Sequence, residues 1–295
     1  MGQAIIVLLG LAAALSSAVM AFLSSSLSWK RAILPGLASL ICLGIFATTR
    51  HIQLIYRRCP KRQPKPYTSR DGGLDRNPVD YYLFVLGSGG HTREMLMMMD
   101  DGFCHFENFH RRYLISSGDA MSENHLEDYE KDLRLLCKQN NTSPGTYDKK
   151  IVTRARRVHQ PLWSTPLTAL LSILDILPAL LNPPRNHKVS SGSSNSSGTL
   201  RYPSQIFSNG PATGFFVALA VHLLKMFYVV PEDCMKFIYI ESWARISTLS
   251  LTGKLLYHTG IADVFVTQHE AVAAKYGVQD AGEVVFNSRR LDDVD

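Results

Sequence analysis

The sequence predicts an α/β fold, a Rossmann-like parallel sheet with helices on both faces, behind an N-terminal transmembrane anchor. Three observations lead to this prediction. The first 50 residues are mostly apolar, short apolar runs alternate with helical patterns from Tyr81 onward, and the first of those runs ends in a glycine turn. Alternation of this kind is typical of a parallel sheet whose crossover helices cover both faces.

The N-terminal region, residues 1–50, is predicted to be a membrane anchor of one or two segments. Residues 4–23 carry no charge and match the roughly 20 residues that cross a bilayer. A cleaved signal peptide is the alternative, but this stretch lacks a basic n-region. A second apolar stretch, 32–49, is shorter and is interrupted by a Pro-Gly pair. A basic, proline-rich linker follows over residues 51–80, and the positive-inside tendency places everything after it in the cytosol.

The cytosolic domain is predicted to span residues 81–277, with a Ser/Gly-rich insertion near 187–198 and a divergent tail over 278–295. Its predicted strands are 81–86, 112–116, 150–153, 205–207, 236–240 and 264–267. Its predicted helices are 91–100, 122–139, 162–181, 213–229 and 249–259. The almost uncharged helix 162–181 is either a core helix broken by proline or a surface that dips into the bilayer.

The composition excludes several classes of protein. The net charge of +6 suits anionic lipid and anionic substrates, and the sequence has no RNA-binding signature, so no nucleic acid partner is expected. The five cysteines are odd in number, scattered and never in a C-x-x-C pair, which indicates a reducing compartment. The sequence shows no zinc-ligand spacing, and neither a metal nor a cofactor is predicted.

The turn Gly87-Ser88-Gly89-Gly90-His91-Thr92 joins the first predicted strand to a helix. Glycines let the backbone approach a ligand closely, and the free N–H groups that begin the helix suit a phosphate or diphosphate. The turn is neither a Walker loop nor G-x-G-x-x-G, because Lys-Ser/Thr is missing and Thr92 stands at the third glycine position. A tight strand-to-helix turn without a ligand remains the alternative.

A second glycine turn, Asn209-Gly210-Pro211-Ala212-Thr213, follows another predicted strand. Proline suits the first position of a helix, and Thr213 suits a cap or an anion donor. Two such turns at strand ends favour a shared crevice, although two unrelated turns fit the same pattern. Arg154 and Arg156, after a third strand, offer guanidinium groups to phosphate oxygens at the same rim, unless they form a solvated basic loop.

Two titratable residues near strand ends are candidate bases. Glu241 directly follows an apolar strand, where a carboxylate suits general base catalysis or contact with a sugar hydroxyl. With Ser242 beside it, the same position also fits a helix cap. His91 suits either proton transfer or donation to a diphosphate, since a histidine side chain can do either, although a lone histidine is more often structural.

Several sequence blocks, taken in order, resemble one known family. They are residues 87–96, 154–156, 158–160, 209–213, 239–242 and 248–255. Together they resemble the membrane-anchoring subunit of the two-part UDP-N-acetylglucosamine transferase of the dolichol-linked oligosaccharide pathway. The resemblance covers most of the chain from about residue 81 to residue 266, and the N-terminal anchor agrees with it.

The resemblance implies the N-terminal half of a GT-B glycosyltransferase at the cytosolic face of the endoplasmic reticulum membrane. Such a subunit recruits a small soluble subunit that carries most of the UDP-sugar site. The pair adds the second N-acetylglucosamine to dolichyl-diphosphate-N-acetylglucosamine, an early step of protein N-glycosylation, by inverting chemistry without a metal. His91 or Glu241 is implied as the base. The residues implied to bind the acceptor diphosphate are Gly87, Ser88, Gly89, Gly90, Thr92, Arg156, Asn209, Gly210 and Thr213.

The sequence departs from the family near its end, where Gln268-His269-Glu270-Ala271-Val272 replaces the usual Gln-Trp-Pro-Glu-Leu. Because the C-terminal segment of the family helps to hold the partner, this departure weakens the expectation of partner binding through the tail. A non-catalytic membrane scaffold is one alternative function. A self-sufficient lipid-linked transferase is another, and it is disfavoured because no second half of this kind follows residue 295.

Overall fold

The computed structural model describes residues 29–58, 80–99, 109–155, 165–184, 201–210 and 212–282. The chain divides into two compact units. The anchor unit comprises Met1–Ser69 and His222–Glu232, and the sheet unit comprises Arg70–Val221 and Asp233–Asp295. The first predicted membrane segment, Arg156 and the predicted insertion at 187–198 lie outside the described residues.

A seven-stranded sheet forms the sheet unit. Its strands are β1 (Asp80–Leu86), β2 (Phe109–Ser116), β3 (Thr146–Val152), β4 (Gln205–Ser208), β5 (Lys236–Ile240), β6 (Val264–Thr267) and β7 (Gln279–Asp280). Neighbouring strands are parallel and stand in the order β3-β2-β1-β4-β5-β6-β7. The direction of winding therefore reverses between β1 and β4.

The helices follow from this winding. They are α1 (Trp29–Arg58), α2 (Gly90–Met99), α3 (Ala120–Gln139), α4 (Thr165–Leu181), α5 (Ala212–Met226), α6 (Leu251–Thr259) and α7 (Glu270–Tyr276). Because crossovers between parallel strands are right-handed, α2 and α3 cover one face of the sheet, and the helices after β3 cover the other. The predicted α/β class, a parallel sheet with helices on both faces, is confirmed.

The core on the face of α2 and α3 is apolar and aromatic. Its buried members are Phe84, Leu86, Met95, Leu96, Tyr113, Ile115 and Leu126. The ring of Phe84 in β1 stacks on Phe207 of β4 with centroids 5.3 Å apart. Strand β1 reads as an uninterrupted apolar run because a central parallel strand is covered on both faces.

Strand β2 differs from β1 because it buries three polar residues in succession, His110, Arg111 and Arg112. Neighbouring side chains of a strand point to opposite faces. On one face Arg111 donates to both carboxylate oxygens of Glu130 in α3, at 3.0 and 2.9 Å. Such a bidentate pair compensates the cost of burying both charges.

On the opposite face Arg112 donates to both carboxylate oxygens of Asp148 in β3, at 2.9 and 2.8 Å. The same guanidinium donates to the carbonyls of Ala179 and Asn182 at the end of α4, at 2.8 and 2.7 Å. Burial alone would raise the pKa of Asp148, but the bonds from His110 and Arg112 hold that pKa well below its usual value. One arginine thus joins two strands and a helix.

The boundaries of β2 and β3 differ from the prediction for this reason. Both strands begin earlier than the expected starts at residues 112 and 150. The polar stretches 109–111 and 146–149 look like loop in the sequence, but the ion pairs with Glu130 and Asp148 satisfy their charges inside the protein. Partners far away in the sequence therefore override the local polarity.

The observed boundaries of the anchor and of the cytosolic domain also differ from the predicted ones. The helix α1 runs without interruption from Trp29 to Arg58, past the expected end of the anchor at residue 50 and into the range predicted as linker. At the other end, β7 pairs with β6 through Thr267 and Asp280. The sheet therefore continues beyond residue 277, where the domain was predicted to end.

The anchor unit contains one helix that is long and apolar enough to cross a membrane, residues Gly36–Arg57 of α1, within the part of the chain that the structure describes. Arg50 on this helix is buried, donates to Glu232 and to the carbonyl of Lys225, and lies 3.9 Å from the centroid of the Tyr228 ring. The C-terminal part of α1 is therefore fixed to the segment 222–232 of its own unit.

Candidate functional site

The turns after β1 and β4 flank the point where the sheet reverses its winding. Open α/β sheets bind ligands in the crevice beyond the carboxyl ends of the strands at such a reversal. The glycine turn 87–90 follows β1, and Asn209-Gly210 follows β4, which is the neighbour of β1 in the sheet. The structure therefore brings together the two glycine turns that the sequence predicted to share a crevice.

The turn after β1 is held in shape by its own backbone and by the neighbouring loop. Gly89 has φ +51°, a conformation that favours glycine. The hydroxyl of Ser122 in α3 donates to the Gly87 carbonyl at 2.7 Å. Ser88 and Gly90 remain exposed at the start of α2, where the N–H groups and the positive end of the helix dipole suit an anion.

Thr92 contributes to the site differently from the prediction. It is fully buried, and its hydroxyl donates to the Gly87 carbonyl and lies 2.7 Å from the Ser122 hydroxyl. A hydroxyl engaged in this way supports the turn from within and is not presented to a ligand. The predicted direct contact between Thr92 and the diphosphate is replaced by a positioning role.

His91 lies between the two turns. Its ring packs against Gly210 so closely that a Cβ atom added at residue 210 would lie 2.8 Å from the ring. The side-chain amide of Asn209 donates to the His91 carbonyl at 2.8 Å. The side chain of His91 is 35% exposed, whereas its Nδ1 is buried and has no hydrogen-bond partner among the described residues. The exposed part of the ring is therefore available to a ligand.

Glu94 connects α2 to the loops after β5 and β6. It accepts hydrogen bonds from the Trp243 amide at 2.6 Å, from Gln268 at 2.9 Å and from the Ser242 hydroxyl at 3.0 Å. Its Oε2 lies 3.6 Å from Nδ1 of His91. Burial alone would raise the pKa of Glu94, but the His91 ring and these donors lower it below its usual value. A charged carboxylate thus holds the loops after β5 and β6 beside the histidine.

Glu241 is buried, with 1% of its surface exposed. One carboxylate oxygen accepts from the Ser242 amide at 3.1 Å and the Tyr239 hydroxyl at 3.3 Å. The other oxygen accepts from the amide and hydroxyl of Ser250, the N-cap of α6, at 3.0 and 3.1 Å. Gly253 leaves the space that this carboxylate occupies. Glu241 therefore supports the N-cap residue Ser250, whereas the sequence alternative expected a helix capped at Ser242, and the geometry does not present Glu241 as a base.

The remaining predicted residues have structural contacts. Thr213 is buried and its hydroxyl lies 2.9 Å from that of Ser116. Asn209 is buried, and its Oδ1 has no hydrogen-bond partner among the described residues. The guanidinium of Arg154 lies 4.0 Å from the carboxylate of Asp119, the N-cap residue of α3. Arg156 lies outside the described residues and stays a prediction.

Within the described ranges, His, Cys, Asp and Glu side chains form no group of three or more that suits a metal ion. The residues that the sequence reasoning missed are Ser122, which supports the turn after β1, and Glu94 and Gln268, which join α2 to the loops after β5 and β6. Their signal is weak, because a glutamate three residues after a histidine on a helix is common and its loop partners are distant in the sequence.

The comparisons with known proteins agree on one family. The family model described as oligosaccharide biosynthesis protein Alg14 like matches residues 82–282. UDP-N-acetylglucosamine transferase subunit ALG14 of Debaryomyces hansenii is 29% identical over 76% of this chain and 86% of its own length. The human subunit of that name is 31% identical over 66% of this chain and 77% of its own length. The Schizosaccharomyces pombe subunit of that name is 32% identical over 68% of this chain and 81% of its own length.

One solved structure also resembles the chain. The crystal structure of Acinetobacter baumannii MurG matches with a TM-score of 0.37 and 14% sequence identity. The match covers 65% of this chain and 43% of the bacterial chain, so this chain spans less than half of that protein.

Proposed function

The chain belongs to the Alg14 family, and from this premise we propose that it is a membrane-anchored subunit of a UDP-N-acetylglucosamine transferase. In this proposal it binds the lipid-linked acceptor, dolichyl-diphosphate-N-acetylglucosamine, at the cytosolic face of the endoplasmic reticulum. A small soluble subunit binds most of the donor. The relatives' shared name, a transferase subunit, supports the need for a partner.

The observation that carries this proposal is the pair of glycine turns at the reversal of the sheet. The exposed Ser88 and Gly90 stand at the start of α2, and Gly210 lies against His91. The described first turn of α2 contains no acidic residue, and the charge of Glu94 in the next turn is satisfied by donors from the loops after β5 and β6. An acceptor diphosphate suits such a site, because backbone N–H groups and the helix dipole stabilise its charge.

The proposed chemistry is an inverting transfer without a metal. The acceptor hydroxyl attacks the anomeric carbon of N-acetylglucosamine, the bond from that carbon to the diphosphate breaks, and UDP leaves with the electron pair. His91 takes the proton of the attacking hydroxyl, because its ring is partly exposed beside both turns. Glu94 orients His91, and Glu241 holds the loop after β5 to α6.

The proposed localisation rests on α1. Gly36–Arg57 has the length and composition of a membrane span, and basic residues lie at its C-terminal end and directly after it in the sequence, from Arg50 to Lys65. The positive-inside tendency places these residues, and the sheet unit after them, in the cytosol. The divergent sequence 278–295 leaves the contact surface of the partner open.

The experiment is co-purification of the tagged full chain from membranes, followed by transfer assays with a short-chain dolichyl-diphosphate-N-acetylglucosamine and UDP-N-acetylglucosamine. We expect transfer by the co-purified complex and none after the partner is removed, with recovery on its return. Equal transfer by the chain alone would identify a self-sufficient enzyme. A complex whose rate is independent of His91 and of the glycine turns would identify a scaffold, and either result would overturn the proposal.

A further inference from the structure

Four leucines lie exposed along one side of α4. Leu167, Leu170, Leu171 and Leu174 are 65%, 54%, 46% and 52% exposed. Their spacing places them on a single face of the helix, because residues three, four and seven apart are neighbours on an α-helix. We call this face the leucine stripe. A contiguous apolar stripe on a protein surface marks a place of interaction.

The opposite side of α4 is already packed in the sheet unit. Ser172, Ile176 and Leu180 are fully buried, and Ala179 is nearly so. This packing fixes the rotation of the helix about its own axis. The leucine stripe therefore faces outward in the folded protein and is not exposed by local unfolding. It is a second apolar face for which the described part of the fold supplies no cover.

The charge around the stripe favours a lipid surface. The helix contains a single charged residue, Asp175, and its carboxylate accepts from the amide and hydroxyl of Thr153 at the end of β3. Basic residues flank the helix in the sequence, and they are Arg154, Arg156 and Arg157 before it and Arg185 and Lys188 after it. Basic groups beside a leucine face are typical of helices that lie in the interface of an anionic membrane.

We propose that the leucine stripe inserts into the interfacial region of a bilayer that contains anionic lipid, as a second membrane contact besides α1. Two observations favour lipid over a protein partner. The helix carries no aromatic residue, methionine or arginine, the residues enriched at the centre of protein interfaces. The candidate span in α1 also keeps the bilayer at a high effective concentration. The inference is independent of the reaction proposed above.

The test places the full chain in nanodiscs of phosphatidylcholine, with or without phosphatidylserine. A fluorescent amino acid replaces Leu171 in one sample and Lys131, an exposed residue of α3, in the matched control. Lipids brominated on their acyl chains quench only fluorophores that contact the bilayer. We expect at least about twofold stronger quenching at residue 171 than at residue 131, and more with phosphatidylserine. Equal quenching at the two positions would overturn the proposal.

A second pair of variants distinguishes insertion of the leucine stripe into the bilayer from mere nearness of residue 171 to the lipid. Leu170→Glu places a charge in the stripe and should reduce the quenching at residue 171 to the level of the control, whereas Lys131→Glu should not change it. Both changes are at exposed positions, so thermal unfolding should be unaltered. If a protein or another segment of this chain covers the stripe instead, Leu170→Glu will leave the quenching unchanged, and the proposal fails.

Discussion

His91 and Glu241 follow strands of the same sheet, yet the structure treats them differently. The ring of His91 is partly exposed beside two glycine turns, and its Nδ1 has no hydrogen-bond partner among the described residues. Glu241 is buried and receives four hydrogen bonds from its own loop and from the start of α6. A position at a strand end brings a side chain to the rim, but its neighbours decide whether it remains reactive.

The largest expected effect tests the exposed member of the pair. We expect His91→Ala to lower the turnover of the complex by roughly 10²–10⁴-fold, since a general base is lost. The unfolding temperature should fall little, because the ring is partly exposed and loses only its 3.6 Å approach to the Glu94 carboxylate. The check is the initial transfer rate of complexes with equal partner content. An unaltered rate would show that His91 is not the base. The contrast between a reactive His91 and a structural Glu241 would then have no support.

Two glycines offer a matched test of the same contrast. In Gly210→Ala the new methyl group collides with the His91 ring, and displacement of a reacting group by about 1 Å costs up to about 10²-fold in rate. In Gly253→Ala the methyl group collides with the held Glu241 carboxylate, and overpacking costs about 1–3 kcal/mol of stability.

The two glycine variants are measured by transfer rate and by thermal unfolding. Gly210→Ala should lose mainly activity, and Gly253→Ala mainly stability. The second result is the more telling, because alanine ordinarily stabilises a helix relative to glycine by about 1 kcal/mol. A gain of stability in Gly253→Ala would contradict the tight fit of Glu241.

Glu241→Gln removes a charge and places an amide NH2 group opposite two of the four donors. We expect the free energy of unfolding to fall by about 1–3 kcal/mol, the cost of unsatisfied buried polar groups. The thermal unfolding midpoint of the detergent-solubilised chain measures this. The folded fraction should retain its transfer rate, and a large loss of rate at unchanged stability would restore Glu241 as a base.

Glu94 makes a prediction about pH. Because its folded pKa is lowered, its stabilising contribution is present above the unfolded pKa of about 4.3 and is lost as pH falls through the folded pKa. Thermal unfolding at neutral and acid pH should show this loss in the parent chain. In Glu94→Gln the same comparison should give a smaller acid dependence, and an identical dependence would refute the assignment.

The smallest expected effect concerns Arg156, which follows a third strand, β3, in the sequence. Arg156→Lys replaces a planar fork by a point charge, so the KM for the lipid-diphosphate acceptor should rise about severalfold with little change in kcat. Arg154→Lys is the control, because Arg154 lies near Asp119 instead. An unchanged acceptor KM would exclude a contact between Arg156 and the diphosphate.

The sequence predicted the fold better than the site. Strands β5 and β6 begin and end where expected, because short buried runs bounded by turns carry a strong local signal. The start of β2 was wrong, because Glu130 and Asp148 neutralise its arginines from elsewhere in the fold. The accessibility of Glu241 was equally unpredictable, since its donors on Ser250 meet it only in the folded chain. Local patterns predict elements, while distant partners decide which side chains stay free.

The guanidinium of Arg112 has a mechanical consequence. It joins β2 to Asp148 of β3 and to the last carbonyls of α4 at Ala179 and Asn182, so the helix cannot pivot without dragging the sheet edge with it. A change in the orientation of α4 is therefore coupled to the orientation of β2 and β3. If α4 lies in a lipid surface, its angle to the membrane would fix the orientation of the sheet. That orientation would determine from which side the diphosphate of a membrane lipid reaches the carboxyl ends of the strands.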